Sequence, residues 1–414
     1  MKNFIFSLAL FFIQLTIAQQ LNPKWMKGIA PRNIGPGGMS GRVTAIDVVN
    51  NQSDIIYVGT ASGGIWKSTS GGVNWTPLFE DQVTASIGAI AIQQSNPDVI
   101  WVGTGEGNPR NSLNGGYGVY RSLDAGKTWK AMGLEKTRHI HRIIVDPTNP
   151  NIVYVAAIGQ PFQPNVERGL YKSLDGGKTW ENILFISNEI GVVDIELSPD
   201  NPDVIYAASW RGERKPWTII SGSEEGGIYK STDAGKTWKK LKKGLPKGLV
   251  GKIDLATTAA DPDRVYALIE ANNGKGGVYV SYDRGKSFIP MSYRKELVNR
   301  PFYYCNLEAD PKNADIIFSN ANRFMMSNDA GKTWKIMRTP HGDNHDIWIN
   351  PNHENTWIQS NDGGVNITFN SGKTWTSQFN QPTAEIYQVE VDNQYPYWLY
   401  GGQQDNYSTI SVPS

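Results

Sequence analysis

Ser173-Leu174-Asp175-Gly176-Gly177-Lys178-Thr179-Trp180 is the stretch whose reading decides the fold. Its pattern, S-x-D-x-G-K-T-W, returns intact from Ser122, Ser231 and Ser327. The copy from Ser281 ends in Ser287-Phe288, and the copies from Ser68 and Thr368 carry Ser70 and Asn370 in place of the aspartate. The seven copies start 54, 51, 58, 50, 46 and 41 residues apart. A repeat of this period marks an array of supersecondary units.

The same parts surround each copy. An alternating, β-rich run comes first, such as Val43–Val49 or Ile140–Val145, then a turn such as Asn96-Pro97-Asp98 or Asn201-Pro202-Asp203. A second strand follows, for example Val99-Ile100-Trp101-Val102. A loop of variable length leads to a third, for example Gly227–Ser231, and the tryptophan opens a fourth. Helical periodicity is absent. Four short antiparallel strands (a to d) repeated seven times predict an all-β fold, a β-propeller of four-stranded antiparallel blades. The repeated box is read as the c–d hairpin turn. Its carboxylate accepts backbone N–H groups that the turn leaves without ladder partners, its glycine supplies a positive φ, and its tryptophan packs beneath the hairpin. One acidic residue per copy, followed by lysine, argues against a calcium loop.

Four segments are expected: residues 1–18 as a signal peptide, 19–36 as an N-terminal segment with a possible ring-closing strand, 37–380 as seven blades, and 381–414 as a truncated partial eighth blade. Lys2, the apolar run Phe4–Ile17 and Thr16-Ile17-Ala18 point to cleavage after Ala18 and export. The mature chain is then expected to carry no membrane span and to be periplasmic, surface-bound or secreted, and monomeric. With 40 basic and 39 acidic residues the charge gives no nucleic-acid footprint. Cys305 is the single cysteine, so no internal disulfide forms, and it reads as a buried, inert thiol in a strand.

The repeats resemble Asp-box (BNR) repeats. Their regular style is most similar to bacterial sortilin N-terminal-like and xyloglucanase-like repeat proteins. The resemblance implies that the boxes lie on the rim away from the active face. A xyloglucanase of that kind would carry an aspartate in T-D-x-G-G after the first b-strand, and this chain has Thr60-Ala61-Ser62-Gly63-Gly64. A sialidase would need R-I-P, and Arg32-Asn33-Ile34 departs from it.

If the boxes and a–b turns lie at the bottom, the b–c and d–a loops share the top, where function is expected. Carboxylates there that suit glycoside hydrolysis are Asp343, Asp346, Asp362 and Glu106. Candidate ligand-binding groups are Arg110, Arg138, His139, Arg211, Trp210, His341 and His345. The run His341–Asp346 is the densest, but its spacing is not diagnostic of a metal, and neither metal nor cofactor is expected. Trp217, Tyr303 and Tyr304 suit either stacking on sugars or the core. A plain solvated loop mouth fits the same residues. The function read from these features is an exported propeller that binds a glycan or polypeptide through its top loops. The alternative is a glycoside hydrolase using top-face carboxylates, and a purely structural propeller is a third reading.

Overall fold

The computed structural model describes residues 22–26, 28, 40–110, 113–406 and 410–413. The signal-peptide segment lies outside them. Seven antiparallel sheets follow one another as blades: 43–77, 87–131, 140–184, 191–240, 250–292, 306–336 and 344–376. Within each blade the strands pair in chain order. In the seventh, the fourth position is taken by residues beside Thr376, whose N–H donates to the Ile367 carbonyl at 2.9 Å. Blade 4 also carries a hairpin, Gly212–Lys215 with Thr218–Ser221, inserted in its b–c loop.

The box behaves as a turn should. In the second copy the Asp124 carboxylate accepts the N–H and hydroxyl of Thr128 at 2.8 and 2.6 Å and the Ser122 hydroxyl at 2.8 Å. The Ser122 hydroxyl oxygen in turn accepts the Gly126 N–H at 2.8 Å. Two successive residues, Ala125 and Gly126, take left-handed φ values of 59° and 89°. The sequence reading anticipated only the glycine. The left-handed residue before it is the one whose N–H reaches across to the a–b turn of the same blade: Gly71 to Asp54, Ala125 to Asp98, Gly176 to Asn151, Ala234 to Asp203, Arg284 to Asp263, Ala330 to Asp315 and Ser371 to Asn355. This bond, made in all seven blades, places both sets of turns on one face. Two of the box tryptophans also tie blades together through their indole N–H groups. The indole N–H of Trp129 donates to Leu78 O at 2.7 Å and that of Trp180 to Met132 O at 2.6 Å, each on the preceding blade.

Near the axis the a-strands of neighbouring blades do not form ladders, so some of their N–H groups need other acceptors. Inward aspartates supply them across the seam. Asp47 accepts Ile92 N at 2.6 Å, Asp194 accepts Leu255 N at 2.8 Å, and Asp254 accepts Leu307 N at 2.6 Å. Asp346 of blade 7 accepts Ile46 N of blade 1 at 3.0 Å. That seam also buries Val43, Ile46 and Val58 against Ile358, Val365 and Ile367. The ring therefore closes blade 7 on blade 1.

Two expected segments bear on this closure. The segment expected to start a ring-closing strand forms a 3-10 turn at Pro23–Met26, and most of its remainder lies outside the described residues. The predicted eighth repeat does form a three-stranded sheet, with strands Ile386–Val391, Trp398–Gln403 and Ile410–Pro413. It is not a blade of the ring, because the seam is already filled, and its first strand is exposed along its whole length. Its loops instead reach the top face, where Gln403 and Asn406 donate to Ser40 O at 3.0 Å each. Cys305 is buried, and burial pushes its thiol upward, but it precedes its strand at φ 95°.

Replacing Asp346 by alanine removes the acceptor of a buried N–H at the closing seam. Urea denaturation should show a loss of about 1–3 kcal/mol, largely recovered by Asp346→Asn; an unchanged midpoint would mean that closure does not depend on this bond. The box carboxylates titrate in the opposite sense to most buried acids. Hydrogen bonds from Thr128 and Ser122 hold Asp124 down to about 2, and those from Thr237 and Ser231 do the same for Asp233. Their contribution is present in full above the ordinary aspartate range and is lost as pH falls through about 2. The melting-temperature gap between the parent chain and Asp233→Asn should therefore shrink between pH 5 and pH 2.

Candidate functional site

The top face holds a cavity of about 400 Å³. Phe302, Tyr303 and Tyr387 supply aromatic wall, and Arg110, Arg214 and Arg300 supply positive charge. Asp343, Asp405 and Gln404 complete the lining. Oxygens of Asp343, Asp405 and the deeper Asp362 all lie within 4.8 Å of one another. Three lining residues, Arg300, Asp343 and Asp405, have left-handed backbones, with φ of 51°, 53° and 54°. Such conformations cost energy outside glycine and persist where the surroundings impose them, often at functional sites.

A buried polar network underlies the cavity. The hydroxyl of Tyr303 lies 2.8 and 2.6 Å from the two oxygens of Asp362, and His345 Nε2 donates to Asp362 Oδ1 at 2.6 Å. Burial alone would raise the Asp362 carboxyl. The hydrogen bond and charge of His345, with Arg42 and Tyr303 behind, outweigh it and hold the group at about 2. Arg42 grips Glu106 with two nitrogens, at 3.0 and 3.1 Å, and lies 3.3 Å from Glu385. Burial nevertheless pushes Glu106 up to about 7 against the pull of Arg42. With both carboxylate oxygens so held, Glu106 is a structural anchor and not a free acid or base.

Asp343 and Asp405 are the accessible pair. Asp343 accepts Asn322 Nδ2 at 2.6 Å and faces Arg300 at 3.7 Å. Asp405 is pushed above the usual carboxylate range by burial and then by the neighbouring Asp362, with Gln404 opposing. A carboxyl whose titration is raised beside one oriented by a cation is an arrangement that acid–base chemistry uses.

Of the residues singled out from sequence, the cavity gathers Asp343 and Arg110, with Asp362 and His345 beneath. Tyr303, weighed as core or stacking, takes both positions, since its ring is wall and its hydroxyl holds Asp362. His341 sits at the rim, its Nε2 2.9 Å from Asp405 O. The others go elsewhere. Asp346 serves the ring seam. His139 is buried, its Nδ1 2.8 Å from Glu106 O, and burial lowers it to about 4. Arg211 pairs with Glu189 at 2.8 Å and Glu213 at 3.4 Å. Trp210 is core, donating to Ser221 Oγ at 3.0 Å, and Tyr304 is buried. Arg138 lies over the Tyr117 ring at 4.8 Å, and Trp217 is exposed on the inserted hairpin. Ala61 is buried, its N–H donating to Arg42 O at 3.2 Å, and supplies no acid.

Arg42, Arg214, Arg300 and Asp405 were not anticipated as site residues. Arg42 stands inside a strand-like run and Arg300 beside a proline. The polar run Gln403-Gln404-Asp405-Asn406 gave the one readable signal, and only the folding of the last sheet onto the top face carries it to Asp343.

No protein-family model matches the chain. Over 341 residues it is 26% identical to the xyloglucanase Xgh74A of Acetivibrio thermocellus, a match covering 73% of this chain and 39% of that protein. A xyloglucanase of a Paenibacillus species is 25% identical over 276 residues, covering 61% of this chain and 24% of that protein. The chain thus spans less than half the length of these curated relatives. Among solved structures, the GH74 xyloglucanase from Xanthomonas campestris matches with a TM-score of 0.65 at 16% identity, over 92% of this chain and 60% of that chain. At that identity the structural match establishes a shared propeller fold.

Proposed function

We propose that the chain is an exported glycoside hydrolase that cleaves a polysaccharide in its top-face cavity. The observation that carries this reading is the convergence of Asp343 and Asp405 in one aromatic-walled cavity, with Asp362 locked beneath. Curated relatives named xyloglucanases support the same reading and make xyloglucan the first substrate to test. They favour this reading over that of a propeller that only binds.

Asp405 is assigned as the general acid. Burial and the neighbouring Asp362 raise its titration, and in its protonated form it delivers the proton to the glycosidic oxygen as the bond to the anomeric carbon breaks. Asp343 faces the developing positive charge at that carbon; a water adds there, its oxygen forming the new bond to the anomeric carbon and its proton passing to a carboxylate of the pair, which restores the acid. Asp362 is a positioning residue. It is held ionised, and its charge keeps the Asp405 proton in place. Tyr303, Phe302 and Tyr387 offer faces for sugar rings. The repeats, read as Asp-boxes, remain on the opposite face as scaffold.

Reducing-end release from xyloglucan and a panel of β-glucans is the direct measurement. Asp405→Asn and Asp343→Asn should each lower kcat by about 10²–10⁴-fold, with KM little changed. The parent rate should fall as pH rises through the raised Asp405 titration, because the acid must be protonated. Equal rates in parent and both variants would rule out the assignment.

A further inference from the structure

The cavity carries more positive charge than the proposed reaction uses. Arg300 faces Asp343 and is accounted for. Arg110 and Arg214 line the same cavity and make no ion pair with a described residue. Their neighbours show how ordinary pairing is satisfied in this region. Glu213 is shared by Arg211 and Lys215, and Arg211 also holds Glu189. Glu213, next to Arg214 in the chain, is therefore already committed.

The placement of these guanidiniums is built in. Arg214 belongs to the hairpin inserted in blade 4, and its own N–H donates to Pro161 O of blade 3 at 2.6 Å. That bond fixes where its side chain starts. Arg110 lies over the Tyr303 ring, 5.5 Å from its centroid, and its Nη1 is 3.4 Å from the Tyr303 hydroxyl. Arg300 lies 5.0 Å from the same centroid. One tyrosine thus gathers two cations that would otherwise repel, and the inserted hairpin brings a third. A guanidinium presents a planar fork matched to an oxyanion. Neutral sugars, which offer only hydroxyls, give such an arrangement no charge to neutralise.

We infer that the substrate of this cavity is an acidic glycan, whose anionic sugar substituent is held by Arg214 and Arg110 next to the cleavage point. This rests on the hydrolase reading for the site but goes beyond it in substrate class. The charge is recognised whether it comes from a uronate carboxylate or a sulfate ester.

The test is calorimetric titration of the full chain carrying Asp405→Asn with three matched β-linked oligosaccharides: one bearing glucuronic acid, its carboxyl-reduced neutral form, and a sulfated derivative of that neutral form. The uronate or the sulfated oligomer, or both, should bind at least about tenfold tighter than the neutral one, a gap of about 1.4 kcal/mol. The preference should weaken with added salt. Adding Arg214→Gln should collapse the ratio, and Arg214→Lys should restore part of it. Equal affinity for all three, or a ratio untouched by Arg214→Gln, overturns the inference. Tight binding of the acidic oligomer without cleavage by the parent chain leaves the recognition of an acidic glycan by Arg214 and Arg110 standing and sinks the hydrolase reading. Cleavage of the neutral oligomer with a ratio near one does the reverse.

Discussion

The structure depends on how N–H groups near the axis of a ring of sheets are satisfied. Each blade pairs internally, but its innermost strand meets a neighbour that it cannot pair with as a ladder. Aspartates facing inward solve this at four seams, and at the closing seam Asp346 reaches Ile46 across the join between blade 7 and blade 1. The outer ends are solved differently. There the box turn bonds to the a–b turn of its own blade, and tryptophans such as Trp129 and Trp180 bond to the blade before. Polar groups inside and tryptophan indoles outside thus join neighbouring blades.

On the ring so joined, the top face holds strained and charged residues. A buried network of Arg42, Glu106, Tyr303, Asp362 and His345 fills the upper mouth of the ring. Isolated buried charges of this kind are costly, and pairing with good geometry offsets the cost. The network separates roles among carboxylates that look alike in sequence. Glu106 and Asp362 are locked, while Asp343 and Asp405 remain at the cavity. The last sheet, outside the ring, supplies Asp405 and Tyr387 and so completes the site from a distant part of the chain.

The fold was legible because its signals are local and repeated. The box, the Asn-Pro-Asp turns and the alternating strands recur seven times, and a turn motif reads the same wherever it falls. The strand order also pointed to the face on which Asp343, Asp362, His345 and Arg110 come together. What it could not do was rank them. Asp343 and Asp346 are three residues apart, yet one lines the cavity and the other closes the ring. That difference arises from a β-bulge between Asn344 and Asp346 and from the neighbouring blade, neither of which is written in the segment itself. His139 looked like a ligand and is a buried group against a carbonyl. Arg42 and Asp405 gain their meaning from partners tens or hundreds of residues away. The eighth repeat was legible as strands, and it forms a three-stranded sheet beyond the closed ring, a placement that depends on where the ring closes.

The central claim is that cleavage takes place between Asp343 and Asp405. A crystal structure of the Asp405→Asn chain with an intact oligosaccharide bound tests it most directly. The account predicts a glycosidic oxygen about 3 Å from the side chain at position 405, with sugar rings against Tyr303 and Tyr387. An oligosaccharide bound on the outer blade edges or at the lower opening, with the top cavity empty, would contradict it.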